Sequence, residues 1–457
     1  MSKNKILLLF PDGVGIRNYL YSDVFRNTSD DLILFHNFDK ETEDDIKNRT
    51  GISNTLKIPK YRETPKEKFL RELICLSRLQ YNARQTANPV ILTNWNRNHK
   101  TLSKKIFYKC IELATSFVKN YGAILKLEKA YQKEIRKNSF YNELKEILLD
   151  IKPDKLFCSH QRSLHAPTVF AAAADLGIVS FTVVFSWDNL PKARMALKAD
   201  HYLVWSDYMK QELQLYYPEI KENAIHVTGT PQFEFYGKPE MLMDKEAFYK
   251  QYNLDFNRKI ICYSGDDVKT SPDDPKYLDD LASELRKSGL DKEYQILLRR
   301  CPVDLSGRFD NVVTKYNDLI KEAPPLWMFK SSSEWSSVYP SYEDVSLLVS
   351  TVYYSSIVVN VGSTMAFDFA MFDKPCIFIN YDQSEKKEKN WSVKTIYQYQ
   401  HFRSMPSKEA VLWLNSSSEI VSKITTEACS PSMKEWERTV VADFKNASTV
   451  IKTLLNT

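Results

Sequence analysis

Residues 358–380 read VVNVGSTMAFDFAMFDKPCIFIN. The run Ile357–Val361 is apolar and β-branched except at Asn360, the pattern of a strand buried on both faces. Gly362, Ser363 and Thr364 turn the chain, the apolar spacing of AFDFAMF is helical, and Lys374-Pro375 stops that helix before the next strand, CIFIN. A strand, a small-residue turn, a helix and a second strand make half of a Rossmann-like unit. In such a turn the first helical amides and the positive end of the helix dipole converge, which suits a phosphate, and the hydroxyls of Ser363 and Thr364 add donors. Asp368 lies about one turn further on, where a carboxylate accepts from vicinal hydroxyls of a ribose or a sugar. The plain alternative is that Ser363 or Thr364 caps the helix and Asp368 complements its dipole.

The same alternation extends in both directions. KILLLF opens the chain as a short strand, followed by the turn PDGVG and a segment with helical spacing, residues 16–25. DLILFHNF reads as a second strand, PVILTNW as a third strand or a buried helix start, and residues 100–150 as helices. Strand patterns return in KPDKLFCSHQ, IVSFTVVFSW, HYLVW and AIHVTG, with PTVFAAAADLGI and SDYMKQEL as helices between them. RKIICYSGDD, LDDLASELRK and YQILLRRCP repeat the theme before residue 358. The expected fold class is α/β, with two Rossmann-like domains facing each other across a cleft. The expected division is an N-terminal acceptor domain over 1–235 and a nucleotide-donor domain over 236–430. A C-terminal helix over 431–457 is expected to pack back on the first domain, and the loosely patterned 236–258 to connect the two.

A chain of 457 residues with 43% hydrophobic and 13% aromatic residues has material for two cores. No apolar run approaches the ~20 residues of a bilayer span. The N-terminus lacks a signal-peptide pattern, so a soluble, cytoplasmic protein is expected. The seven cysteines are scattered without a CxxC pair or Cys/His cluster, which argues for free thiols and against a zinc site. Net charge is only +5, yet residues 61–140 hold 17 Lys or Arg against 6 Asp or Glu, leaving the remainder net acidic. Basic helices with interleaved Phe, Tyr and Leu suit the anionic inner face of a membrane or a phosphate-bearing acceptor, or are simply a solvated helix face. No nucleic-acid-binding module accompanies the charge, and no nucleic-acid partner is expected.

The order Gly362-Ser363-Thr364, Asp368, Asp373-Lys374-Pro375 resembles the donor-site motif of GT-B glycosyltransferases, in which glutamate and glycine usually stand where this chain has Asp368 and Asp373. Residues 226–232, HVTGTPQ, resemble the G-x-P element that closes the N-terminal domain in that superfamily, in CDP-glycerol glycerophosphotransferases and in sugar-nucleotide epimerases. SWDNLPK at 186–192 and YQYQH at 397–401 resemble segments of bacterial surface-polysaccharide transferases. The resemblance implies transfer of a sugar from a nucleotide-activated donor to a glycan or lipid-linked acceptor in bacterial surface-polysaccharide synthesis. Two other readings fit the same fold: a CDP-glycerol or CDP-ribitol type polyol-phosphate transferase, and a catalytically silent GT-B binding module.

On this reading Arg299, at the end of YQILLRR, pairs with diphosphate oxygens, with Arg300 beside it as a structural ion pair, and Ser264 and Gly265 touch the same phosphates. Asp266 and Asp267 are less suited to an anion. In the N-terminal half, Gly13 and Gly15 form the acceptor-side loop. Asp12, His160, His165 and Asp188 are alternative general bases, which the sequence does not separate. The nucleotide sugar enters as substrate, with neither a cofactor nor a metal expected.

Overall fold

A computed structural model describes residues 3–329 and 338–457. The chain divides into two compact units, residues 1–230 with 447–457 and residues 231–446.

The first unit is built on seven parallel strands: β1 (Lys5–Phe10), β2 (Asp31–His36), β3 (Asn54–Lys57), β4 (Lys155–Cys158), β5 (Val179–Val183), β6 (His201–Val204) and β7 (Ile225–Val227). Their order is β3-β2-β1-β4-β5-β6-β7. The direction of winding therefore reverses between β1 and β4. Ile6 to Phe10 are sealed from solvent, as a central strand covered on both faces requires. The crossovers are α1 (Lys40–Thr50), α2 (Pro65–Gln85), α3 (Leu102–Thr115), α4 (Tyr121–Ile135), α5 (Ser139–Ile151), α6 (Ala166–Asp175) and α7 (Asp207–Tyr216). Two expectations are corrected. Residues 16–25 give a single π-type turn, Ile16–Leu20, in place of a regular helix. PVILTNW is a 3₁₀ turn, Pro89–Asn94, because the Asn88 side chain caps the Val90 amide and Pro89 occupies the first turn.

The second unit opens with α8 (Lys245–Gln251), inside the segment read as a loose connection. There Phe248, Tyr249, Tyr252 and Leu254 are buried against Ile260 and Leu297. It continues through β8 (Lys259–Ser264), α9 (Asp274–Ser288), β9 (Tyr294–Arg299), α10 (Asp310–Lys315), β10 (Ile320–Glu322), the antiparallel pair β11 (Trp327–Phe329) and β12 (Val338–Pro340), and α11 (Glu343–Tyr354). Then follow β13 (Ser355–Asn360), α12 (Met365–Ala370), β14 (Cys376–Ile379), α13 (Val393–Ile396), β15 (Leu412–Leu414), α14 (Ile420–Ile424) and α15 (Pro431–Val440). The six-stranded parallel sheet runs β10-β9-β8-β13-β14-β15, so its winding reverses between β8 and β13. Residues 431–457 are two helices, not one. Ala442 takes a left-handed φ of 58° after α15, and the chain resumes as α16 (Ala447–Asn456) in the first unit. There the Lys155 ammonium donates to the Leu455 carbonyl at 2.6 Å.

Candidate functional site

Ligands of open α/β sheets bind beyond the carboxyl ends of the strands where the winding reverses. In the first unit that point lies past β1 and β4. Pro11 to Gly15 form a tight turn in which the Val14 amide donates to Asp12 Oδ1 at 3.0 Å. This holds the carboxylate so that Oδ2 lies 2.7 Å from His160 Nδ1, just past β4. Both side chains are 12% exposed, and the imidazole meets the Phe185 ring edge-on with centroids 4.9 Å apart. An acceptor at Nδ1 fixes the proton there and leaves the lone pair on Nε2, which has no hydrogen-bond partner among the described residues. Two residues read as alternative bases thus form one hydrogen-bonded pair, the Asp12–His160 dyad.

The glycine turn makes this approach possible. Gly15 has φ +88°, and a Cβ there would lie 2.7 Å from the Ser159 Cβ. Ser159 Oγ in turn donates to the Val14 carbonyl at 3.1 Å. Gly13 is buried, and its carbonyl accepts from the Ile16 amide at 3.4 Å, which closes the turn. His165 sits at the start of α6, where burial lowers its pKa and the Asp12 charge opposes that shift. Its Nε2 is 3.5 Å from the Asn37 amide nitrogen, so it is not on the dyad. Asp188 is corrected as a base candidate. Its oxygens are taken by the Ser186 hydroxyl at 2.7 Å, the Asn189 amide at 2.9 Å and the Lys192 ammonium. It orders its own loop, which reaches the dyad's loop through Gln161 and Asn189, 3.2 Å apart. The sequence reading missed Arg162, two residues past His160. It makes no hydrogen bond or ion pair among the described residues, and its Nε is sealed from solvent.

In the second unit the reversal point lies past β8 and β13. Gly362 has φ +70°, and a Cβ there would fall 2.9 Å from Phe402 and 3.3 Å from Tyr397, so the YQYQH segment closes over the glycine. The turn's amides are partly used by the protein itself. Ser363 N donates to the Asn360 side chain at 2.8 Å, and Met365 N to Ser363 Oγ at 3.3 Å. The amides of Gly362 and Thr364 have no partner among the described residues. The expected row of bare helical amides is therefore reduced to two. The helix it opens, α12, is only six residues long. Asp368 Oδ1 accepts from the Tyr236 hydroxyl at 2.7 Å.

Arg299 is corrected as a freely presented phosphate ligand. Its Nη2 lies 2.9 Å from both oxygens of Asp344, which also accepts from the Leu326 amide and the Trp327 indole. Burial pushes the Asp344 pKa up, but the Arg299 charge and this ring of donors outweigh it, so the pKa is held down and the carboxylate stays ionised. Only Nη1 of Arg299 is buried and unpartnered among the described residues. Arg300 pairs with Glu322 and Asp310. Gly265 donates its amide to the Arg299 carbonyl at 2.9 Å and packs on Phe309, and Ser264 is buried beside it. Asp266 has the opposite of a phosphate ligand's character. Burial and the neighbouring Asp274 push its carboxyl pKa well up, and Asp274 itself rises to about 6. Lys374, read as part of the donor motif, donates to the carbonyls of Val352, Tyr353 and Ser355, and so caps the end of α11. Asp373 pairs with Lys434 at 2.7 Å.

Among the described residues no group of three or more His, Cys, Asp or Glu side chains is placed to hold a metal ion, and no helix is long and apolar enough to cross a membrane. No family model matches the chain, and no curated protein matches its sequence. Solved structures do match it in fold. A UDP-GlcNAc 2-epimerase from Methanocaldococcus jannaschii aligns over 100% of both chains at 11% identity and a TM-score of 0.53. One from Neisseria meningitidis, bound to UDP-GlcNAc, aligns over 99% of this chain and 100% of its own at 12% identity and 0.51. A glycosyltransferase from Rickettsia africae aligns over 100% and 98% at 12% identity and 0.52. The chain has the GT-B fold of these proteins, two α/β units each built on a parallel sheet.

Proposed function

We propose that the protein is a glycosyltransferase that moves a sugar from a nucleotide-activated donor to an acceptor hydroxyl. The observation that carries the reading is the Asp12–His160 dyad at the winding reversal of the first sheet. His160 Nε2 takes the acceptor's proton as its oxygen bonds to the anomeric carbon, the bond from that carbon to phosphate breaks, and the nucleotide leaves as its diphosphate. Asp12 stabilises the imidazolium that forms. In the second unit the donor phosphates take the Gly362 and Thr364 amides, and Asp368 with Tyr236 lies one turn away for a sugar hydroxyl. The unpaired Arg162 guanidinium supplies a positive charge for an acceptor that carries phosphate. The similar structures support the fold on which this is built.

The test is incubation with a panel of nucleotide sugars, with calorimetry for binding and mass spectrometry for product. His160→Gln is expected to lower transfer by about 10²–10⁴-fold and leave nucleotide binding intact. Binding of no nucleotide at all rejects the donor site. A product heavier by glycerol phosphate or ribitol phosphate, in place of a sugar, identifies polyol-phosphate transfer. Nucleotide binding without any product identifies the silent module.

A further inference from the structure

Helix α3 carries apolar residues on two opposed faces. The inner face, with Ile111, Phe107 and Tyr108, is consumed by packing against Leu73, Leu76 and Leu79 of α2. The outer face has no such use. Leu102 is 72% exposed, Ile106 56%, Leu113 60%, and Phe117, in the turn just past the helix, 81%. The spacings of four, seven and four residues place them along one side, with the exposed thiol of Cys110 between them. Isolated surface leucines are ordinary, but four large side chains in one stripe form a patch of the kind that marks an interaction surface.

The charge around the stripe indicates what it meets. Residues 97–119 contain six Lys or Arg and a single carboxylate, Glu112. Lys109 at 3.2 Å and Arg97 at 3.6 Å already engage that carboxylate. Lys105 is exposed beside the apolar row, and Lys104 is exposed at the start of the helix. An apolar row set among unneutralised lysines is the composition of a helix that lies in a lipid–water interface, its side chains in the acyl boundary and its ammonium groups at anionic headgroups.

We propose that the outer face of α3 docks the protein on a bilayer surface bearing anionic lipids, with Leu102, Ile106, Leu113 and Phe117 entering the interface. This does not depend on the sugar-transfer reading, because docking requires no nucleotide and no turnover.

Two measurements on the full chain test it. Co-flotation compares vesicles of phosphatidylcholine alone with vesicles that also contain phosphatidylglycerol, and a polarity-sensitive dye on Cys110 reports on the stripe itself. The expected result is binding to the anionic vesicles with a blue shift of the dye, weakened by added salt. Leu113→Ser with Phe117→Ser is expected to abolish the shift and reduce binding at least about tenfold, and Lys104→Gln with Lys105→Gln to weaken it about fivefold per lysine. All four side chains are exposed, so an unchanged melting temperature is expected and verifies folding. Absence of binding at low salt overturns the proposal, as does binding that the serine pair leaves unchanged with a silent dye. A dimer that the serine pair dissociates, without vesicle binding, assigns the stripe to a second copy of the chain and overturns it equally. Binding to RNA that depends on the lysines but not on the apolar row does the same.

Discussion

His160 depends on Asp12 for the side of the ring that carries its proton. Asp12→Asn would keep an acceptor for the Val14 amide but turn an N–H toward His160 Nδ1. The imidazole would then carry its proton on Nε2 and lose its basic site. Transfer is expected to fall by about a hundredfold or more with the melting temperature nearly unchanged, as read by turnover and thermal denaturation. Glu212 shows the other use of burial. Among the described residues its Oε1 accepts only from Tyr216 at 3.4 Å and its sealed Oε2 has no partner, so desolvation raises its pKa to about 8. The folded chain therefore holds a proton that the unfolded chain releases near pH 4.5. Stability from this group is full below that pH, declines as pH rises toward 8, and is level above it. Glu212→Gln is expected to remove that slope and to stabilise the protein at pH 8 by on the order of 4 kcal/mol relative to pH 4.5, measured by urea denaturation at several pH values. Arg299 and Asp344 are coupled similarly. Asp344→Ala would strand the guanidinium in a sealed site and is expected to cost about 3–5 kcal/mol, so loss of activity in such a variant reports on folding before it reports on phosphate binding.

At the scale of elements, the turns after β1 and β13 are where sequence was most and least legible. The glycines, the strand ends and the GT-B resemblance were all readable, because apolar runs and small-residue turns are local signals. The dyad was readable only as separate candidates, since nothing local in positions 12 and 160 reveals that β1 and β4 are neighbours. Asn360 was missed for a similar reason. Its side chain caps the very amide assigned to phosphate, and a strand-end asparagine carries no mark of that use. Arg299 looked available because its counter-ion Asp344 lies 45 residues away on α11. Gly15→Ala tests the turn directly. A left-handed φ costs about 1–2 kcal/mol for a residue with a Cβ, and the new methyl would meet Ser159 at 2.7 Å. Displacement of the turn is expected to lower activity more than stability, seen as a fall in kcat against a modest shift in melting temperature.

At the scale of the molecule, one compact unit is contiguous in sequence and the other is completed from a distance. Ile451 and Leu455 of α16 are buried in the first unit, more than 200 residues beyond the body of its sheet, and Lys155 holds the helix by its last turn. Ile451→Ala is expected to destabilise the first unit by about 2–5 kcal/mol and to leave the melting of the second unit in place, which calorimetry can follow. The order of synthesis has its own consequence here. The second unit emerges whole and can fold as the ribosome proceeds, whereas the first must wait, its sheet already made and one flank bare, until α16 appears. A cell making this protein therefore carries a first unit that lacks α16 for the time needed to translate the entire inserted unit. That interval is when a chaperone has most to protect.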